Sequence, residues 1–233
     1  ATGARARSIP GVDIDYERVL TYRQAIVRRD LPSSAVVIGA GPIGLEFATI
    51  WRSYGTEVTV VEMLEHVLPA EDEEAASELN RYLRRQKIKV LTSTRVQDVI
   101  REDEGVRIHV EGPDGADDLS ADVALIAIGV QPNSEGLGLE EAGVDTEKGW
   151  VKVDDHMRTN VSGVYAIGDL NGTLPLAHVA SAQGILAVET IAGQDPAPFS
   201  RRHMPRGTYT SPQVASFGLS EDDAREEAGE IEV

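Results

Sequence analysis

The segment Gly39-Ala40-Gly41-Pro42-Ile43-Gly44 constrains this chain more than any other. It follows a β-branched apolar run, Ala35-Val36-Val37-Ile38, and opens a stretch from Pro42 to Tyr54 in which Ile43, Phe47, Ile50 and Trp51 recur at helical spacing. In a G-x-G-x-x-G between strand and helix, the first glycine permits the tight turn. The second lets a pyrophosphate approach the backbone, and the third lets helix and strand pack closely. The helix N-terminus then offers free N–H groups and a partial positive charge to phosphates. Gly55 ends the helix where left-handed backbone is needed. The expected fold class is α/β, a Rossmann-like nucleotide-binding domain built on a parallel sheet with helices.

Such a domain needs a carboxylate about twenty residues beyond the first glycine, at the end of the next strand. Glu62 stands there, directly after the strand-like Glu57-Val58-Thr59-Val60-Val61. It would accept hydrogen bonds from ribose hydroxyls and repel a 2′-phosphate. No arginine follows Glu62 within several residues, so the pattern favours NAD over NADP. Glu46, between Leu45 and Phe47, has two readings at this level: a solvated helix carboxylate, or a group facing the bound dinucleotide.

The remaining segments extend this frame. Glu71 to Gln86 reads as a helix with Ala75, Leu79, Tyr82 and Leu83 on one side, acidic at its start and basic at its end, as the helix dipole favours. Ile88 to Leu91 reads as a strand. Val96 to Arg101 and Val106 to Val110, divided by polar turns, read as an inserted antiparallel β-meander. Val123 to Ile128, closed by Gly129, is again a continuous apolar strand. Further on, Val151-Lys152-Val153 and Gly163 to Asp169 read as strands, and Ala177 to Ala192 as a helix. Pro196 to Pro205 reads as a linker, Tyr209 to Leu219 as strand, and Ser220 as the cap of a last helix. The Gly168-Asp169 strand end could hold a ribose or polyol. His178 is a base or, more simply, a helix-start donor to backbone.

Composition excludes several classes. A net charge of −17, from 39 acidic and 22 basic residues among 233, argues against nucleic acid. No apolar run of about 18 residues exists, and Ala1 to Arg7 lacks the pattern of a signal peptide. No membrane association is expected, and a cytoplasmic protein is the simplest class. The chain has no cysteine, hence no thiolate nucleophile, disulfide or Cys-ligated metal. Histidines 66, 109, 156, 178 and 203 are scattered, and no metal site is expected.

Several segments, in order along the whole chain, carry a resemblance. They are Ala1-Thr2-Gly3-Ala4-Arg5, Val37 to Phe47, Val58 to Glu62, Ala127 to Asn133, Val164 to Leu170, Leu176-Ala177-His178, and Tyr209 to Ala215. The chain resembles the pyridine-nucleotide disulfide oxidoreductases, most closely the lipoamide dehydrogenase branch. The resemblance implies an NAD-binding domain over residues 31–150, with Gly39, Ala40, Gly41, Pro42, Ile43, Gly44, Glu46, Glu62, Val96 and Gly129 at the cofactor. Glu46 is then near the nicotinamide–flavin contact, Val96 by the adenine and Gly129 at the nicotinamide end. It also implies part of a second, FAD-binding Rossmann-like domain. Residues 1–30 would end its first segment and connect onward, and residues 151–199 would form its second segment. Thr2, Gly3, Ala4, Gly168, Asp169, Pro175, Leu176, Ala177 and His178 would form half of the FAD site. Residues 200–233 would begin a dimerisation domain.

In that family a Cys-x4-Cys pair oxidises dihydrolipoamide, electrons reach the flavin, and hydride passes to NAD⁺. This chain holds neither that pair nor a flavin phosphate loop. The expectation is therefore the central part of a longer oxidoreductase, which in full length would be a homodimer within a 2-oxoacid dehydrogenase complex and would be inactive as this piece alone. A soluble transhydrogenase, a mercuric reductase or a non-catalytic NAD-binding module are the alternatives. Against the last, Ala1-Thr2-Gly3 reads as an exposed strand end with no partner.

Overall fold

The structure, a computed structural model, describes residues 1–232. In chain order, β1 (Ala4–Ala6) and β2 (Val19–Leu20) precede α1 (Tyr22–Val27) and β3 (Ser34–Ile38). Next come α2 (Pro42–Ser53), β4 (Glu57–Val61), α3 (Glu73–Arg85) and β5 (Lys89–Leu91). A run of strands follows: β6 (Arg95–Glu102), β7 (Gly105–Gly112), β8 (Gly115–Ala121), β9 (Val123–Ile126) and β10 (Val130–Pro132). The remainder is β11 (Thr146–Glu147), β12 (Trp150–Val151), α4 (Ala177–Ile191), β13 (Arg206–Thr208), β14 (Val214–Ser216) and α5 (Glu221–Ala228). These elements form two compact units: residues 6–129 with 205–233, and residues 1–5 with 130–204.

The larger unit is built on a five-stranded parallel sheet, ordered β2-β9-β3-β4-β5. Both faces of this sheet are buried, which is why its central strands are continuously apolar rather than alternating. On one face Val37, Val58, Val60 and Leu125 pack against Leu45, Ala48 and Trp51 of α2 and Leu79 and Leu83 of α3. On the other, Val36, Ile38, Val61, Ala124 and Ile126 pack against Val99, Val106, Ile108 and Val110 of the antiparallel sheet β6-β7-β8. The expected meander thus exists, gains a third strand, and covers the sheet face that the helices leave open. The period of two along each strand assigns neighbouring valines to opposite cores.

Glycine is required where α2 meets β3. A Cβ on Gly44 would stand 2.0 Å from the carbonyl oxygen of Gly39 and 3.2 Å from a methyl of Val37. Gly39 has φ +107°, and a Cβ there would meet the Ala127 carbonyl oxygen at 2.5 Å. The helix can lie this close to the sheet only without side chains at both positions.

Several sequence expectations are corrected. In α2 the buried face is Gly44, Leu45, Ala48 and Trp51; Ile50 is exposed, because the sheet lies closest to the glycine side. In α3 it is Ala76, Leu79 and Leu83 that are buried, not Ala75, and Tyr82 is at the margin. Residues 6–30 are more than a connector: β2 extends the sheet and packs with residues 31–129, whereas residues 130–150 join the smaller unit. Residues 163–169 form no strand, only a bridge from Arg158 to Tyr165, since one neighbouring segment supplies too few ladder partners; residues 168–171 make a 3₁₀ turn. Residues 209–219 form a hairpin arm, with β13 and β14 joined through the turn at 209–213. The start of the chain is not an unpaired strand end. β1 pairs with β10, Thr2 Oγ1 donates to the Asn133 carbonyl at 2.8 Å, and Asn133 N–H donates to the Gly3 carbonyl at 2.9 Å. Ser220 caps α5 as expected, accepting from Asp223 N–H at 3.1 Å.

The smaller unit holds β1, β10, the β11-β12 hairpin and α4. Its two small cores centre on Val144, Val151, Ala166 and Leu170, and on Met157, Leu186 and Ala187.

Ahead of β2, one carboxylate oxygen of Asp15 accepts from the backbone N–H groups of Glu17, Arg18 and Val19 at 2.8–2.9 Å. Burial pushes the Asp15 carboxyl up, but those three N–H donors and the Arg101 guanidinium outweigh it and hold it below its ordinary value. A lowered folded-state value means that stability is present above the unfolded value and is lost as pH falls below it. Asp15→Ala is expected to destabilise by about 1.5–3 kcal/mol near neutral pH. The difference from the native chain should shrink below pH about 4, as urea titrations at pH 7 and pH 3 would show. Gly44→Ala is expected to destabilise by about 1–3 kcal/mol or more through overpacking, read as a lower urea midpoint at unchanged slope.

Candidate functional site

The C-terminal ends of the parallel strands open onto a cavity of about 550 Å³ in the larger unit. In an open α/β sheet the strand ends are where ligands bind. Gly39, Gly41, Pro42 and Ile43 form its floor, Glu62 one wall, Val96 another, and Gly129 lies at the far end. The sequence-derived dinucleotide residues are therefore gathered in one place by four different segments. Ala40 and Gly44 are buried beneath this surface and shape the loop from behind.

Gly41 differs from the other two glycines. Its φ is −76°, and an added Cβ would meet nothing within 4 Å. No internal contact demands a glycine there. The bare backbone faces the open cavity, a cradle that a side chain would fill. Gly41 is also the N-cap of α2, and no side chain caps that helix end. Its first-turn N–H groups are thus left for an external acceptor. The fit to a pyrophosphate is one of shape and of dipole.

Glu62 closes the loop on the other side. Only 9% of it is exposed. One carboxylate oxygen accepts from Ala40 N–H at 2.7 Å and the other from Leu64 N–H at 2.9 Å. The Glu62 N–H itself donates to the Leu91 carbonyl at 2.8 Å, extending the β4–β5 pairing. The carboxylate therefore fixes the glycine loop and still has lone pairs free, since each oxygen can accept twice. A vicinal diol fits this acceptor set.

Glu46 does not line the cavity. It is half-buried in α2, and its Oε1 accepts from Tyr209 N–H at 2.9 Å, tying the helix to the segment after β13. The remaining candidates lie in the smaller unit. Thr2, Gly3 and Ala4 are held along β10 by the Asn133 hydrogen bonds. Gly168 and Asp169 form the 3₁₀ turn, Leu176 is the N-cap of α4, Pro175 precedes it, and Ala177 and His178 start the helix. The turn packs against both β10 and α4, so these positions are brought near one another through two elements.

Sequence reading missed the group that holds this turn. Gln183 is fully buried, and its Oε1 accepts from Gly168 N–H at 2.7 Å and from Asn171 Nδ2 at 3.0 Å. A mid-helix glutamine carries no sequence signal for that role. Two arginines at the cavity of the larger unit were missed as well: Arg95, at the start of β6, and Arg7, whose N–H donates to the Gly129 carbonyl at 3.0 Å. Neither is adjacent to the glycine motif in sequence.

Comparisons with known proteins agree with this geometry. The family described as pyridine nucleotide-disulphide oxidoreductase matches residues 1–184. A dihydrolipoyl dehydrogenase of Mycobacterium tuberculosis is 43% identical over 100% of this chain and 50% of its own length. Among solved structures, LpdA from Mycobacterium tuberculosis superposes with a TM-score of 0.89 at 35% identity, over 97% of this chain and 49% of its own. The HOCl-induced flavoprotein disulfide reductase RclA from Escherichia coli does so with a TM-score of 0.88 at 27% identity, over 100% and 53%. The chain spans about half the length of the relatives it matches.

Gly41→Ala separates folding from binding. Its unfolding midpoint should stay within about 0.5–1 kcal/mol of the native chain, while dinucleotide affinity, read by calorimetry, should fall at least about tenfold.

Proposed function

This chain belongs to the pyridine nucleotide-disulphide oxidoreductase family, and from that premise we propose that its larger unit binds NAD(H). The observation that carries this is the Glu62 carboxylate, hydrogen-bonded to the glycine loop beside the open face of Gly41. In this reading Gly41 and the α2 N-terminus take the pyrophosphate and Glu62 the adenosine ribose hydroxyls. Val96 lies against the adenine and Gly129 at the nicotinamide end. Glu46 acts near the nicotinamide from the α2 side, with its Tyr209 contact given up or shared. Glu62 carries a negative charge where a 2′-phosphate would stand, which favours NADH over NADPH.

The smaller unit supplies part of a flavin site. Asp169 would accept from a polyol hydroxyl, with Gly168, Thr2, Gly3 and Ala4 as close-approach backbone. Pro175, Leu176, Ala177 and His178 would present the start of α4. Following the two compact units, residues 6–129 would make up the NAD-binding part and residues 1–5 with 130–204 the FAD-domain part, while an interface domain would begin near residue 205. Nicotinamide and flavin together supply hydride transfer; the protein's part is to orient the two rings and exclude water.

The whole protein is proposed to oxidise dihydrolipoamide with NAD⁺ through a redox disulfide outside this cysteine-free segment. Its half-length match to dihydrolipoyl dehydrogenases supports this. So do Ile185, Val188 and Ile191, which stand exposed along one side of α4, an apolar stripe of the kind that further protein covers. Homodimerisation, membership of a 2-oxoacid dehydrogenase complex and a cytoplasmic location follow as proposals. Among the described residues no helix is long and apolar enough to cross a membrane.

Calorimetric titration of this chain with NADH and NADPH tests the reading. Tighter binding of NADH, with little retained flavin absorbance in the purified sample, is expected. Failure to bind either nucleotide, or a bright-yellow sample with stoichiometric flavin, would count against it.

A further inference from the structure

Arg7 is an exposed arginine that lines the cavity of the larger unit. Backbone pairing fixes where it stands: its main-chain N–H donates to the Gly129 carbonyl at 3.0 Å, at the end read above as that of the nicotinamide. The Arg7 guanidinium has no hydrogen-bond or ion-pair partner among the described residues. By contrast, Arg5, Arg101 and Arg107 each hold a carboxylate, as a chain with 39 acidic and 22 basic residues makes easy. The cavity residues nearest in sequence to Arg7 and Gly129 are apolar: Ile9 and Ile128, both packed against the valine core. A charge left unneutralised beside apolar walls acts more strongly on its neighbours than one in open water.

The carboxylates are placed elsewhere. Glu62 belongs to the adenosine end of the cavity, and both its oxygens already accept a backbone N–H. Glu46 lies outside the cavity, with one oxygen on Tyr209 N–H. Oxidised and reduced nucleotide share the same pyrophosphate, riboses and adenine. They differ by one hydride, which turns the cationic pyridinium ring of NAD⁺ into the neutral dihydropyridine of NADH. A cation fixed near that ring therefore discriminates between the two forms, whereas a cation at the pyrophosphate or adenosine acts on both alike.

We propose that Arg7 is a specificity-determining residue that selects the oxidation state of the bound nucleotide, disfavouring the pyridinium of NAD⁺ against the neutral ring of NADH. The proposal rests on the dinucleotide reading above and deepens it. Glu46, which that reading brings to the nicotinamide from the α2 side, attracts the pyridinium, and Arg7 opposes it. The balance of these two charges, from segments far apart in sequence, sets the ratio of the two affinities.

The test is calorimetric titration of the full 233-residue chain and of Arg7→Ala, Arg7→Lys and Arg7→Glu with NAD⁺ and NADH. The quantity read is the ratio of the NAD⁺ to the NADH dissociation constant, in which any general loss of binding or of folded protein cancels. Every variant keeps the main-chain N–H that pairs with Gly129. Arg7→Ala should lower the ratio about threefold, mainly by tightening NAD⁺, the scale of one exposed charge interaction. Arg7→Lys should keep the native ratio, and Arg7→Glu should lower it further than Arg7→Ala. Added salt should lower the native ratio and leave that of Arg7→Ala nearly unchanged. Arg95, whose Nη2 meets the Met63 sulfur at 3.6 Å on the adenosine side of the cavity, is the control: Arg95→Ala should leave the ratio as it is. A ratio unchanged in both Arg7→Ala and Arg7→Glu, with the native chain binding nucleotide, would overturn the assignment of Arg7 alone. So would equal weakening of both nucleotides in Arg7→Ala, which would place Arg7 on the shared pyrophosphate. If the native chain binds neither form, the dinucleotide reading fails and this proposal falls with it.

Discussion

The approach of Gly44 to the Gly39 carbonyl is the constraint on which the larger unit depends. It brings α2 to within backbone distance of β3, and that closeness aims the first turn of the helix across the ends of the strands. Without it, the uncapped N–H groups of α2 would point past the cavity instead of into it. Glu62 then ties the loop from the opposite side through Ala40 and Leu64. Hydrogen bonds to a charged acceptor are each worth about 1.5–3 kcal/mol. The loop is thus held in one shape, and in the proposed dinucleotide site that would lower the ordering cost of association.

The two-faced sheet explains why a meander is inserted where it is. A parallel sheet with helices on one side leaves an apolar face that water cannot satisfy. Here β6-β7-β8 cover it, with Val99, Val106, Ile108 and Val110 against Val36, Ile38 and Val61. The same insertion also reaches the proposed dinucleotide site. Its first residues pair with the backbone at Glu62 and Leu64, so a layer recruited to bury valines also places Thr94, Arg95 and Val96 on the cavity wall. In the proposed function, packing and recognition share one element.

In the smaller unit the organising group is polar. Gln183 sits in the body of α4 and holds the Gly168–Asn171 turn through its single carbonyl oxygen. A buried amide oxygen that accepts from two donors keeps both donors from being stranded away from water. Around it, the Thr2 and Asn133 hydrogen bonds join the start of the chain to β10 over more than a hundred residues of sequence.

Local order alone dictated much of this protein. The glycine fingerprint, the apolar runs before and after it, Glu62 after β4 and the Ser220 cap were legible because each depends on residues a few positions apart. The family resemblance was equally legible, since its segments keep their order along the whole chain. Only the tertiary structure decided which side of α2 faces the sheet, which strand residues 6–30 add, and why residues 163–169 form a bridge rather than a strand. It alone set Glu46 against Tyr209, Gln183 beneath Gly168, and Arg95 beside Met63. Those outcomes depend on contacts between segments far apart in sequence. A side chain's partner there is chosen by how layers stack, and no spacing within one segment records it.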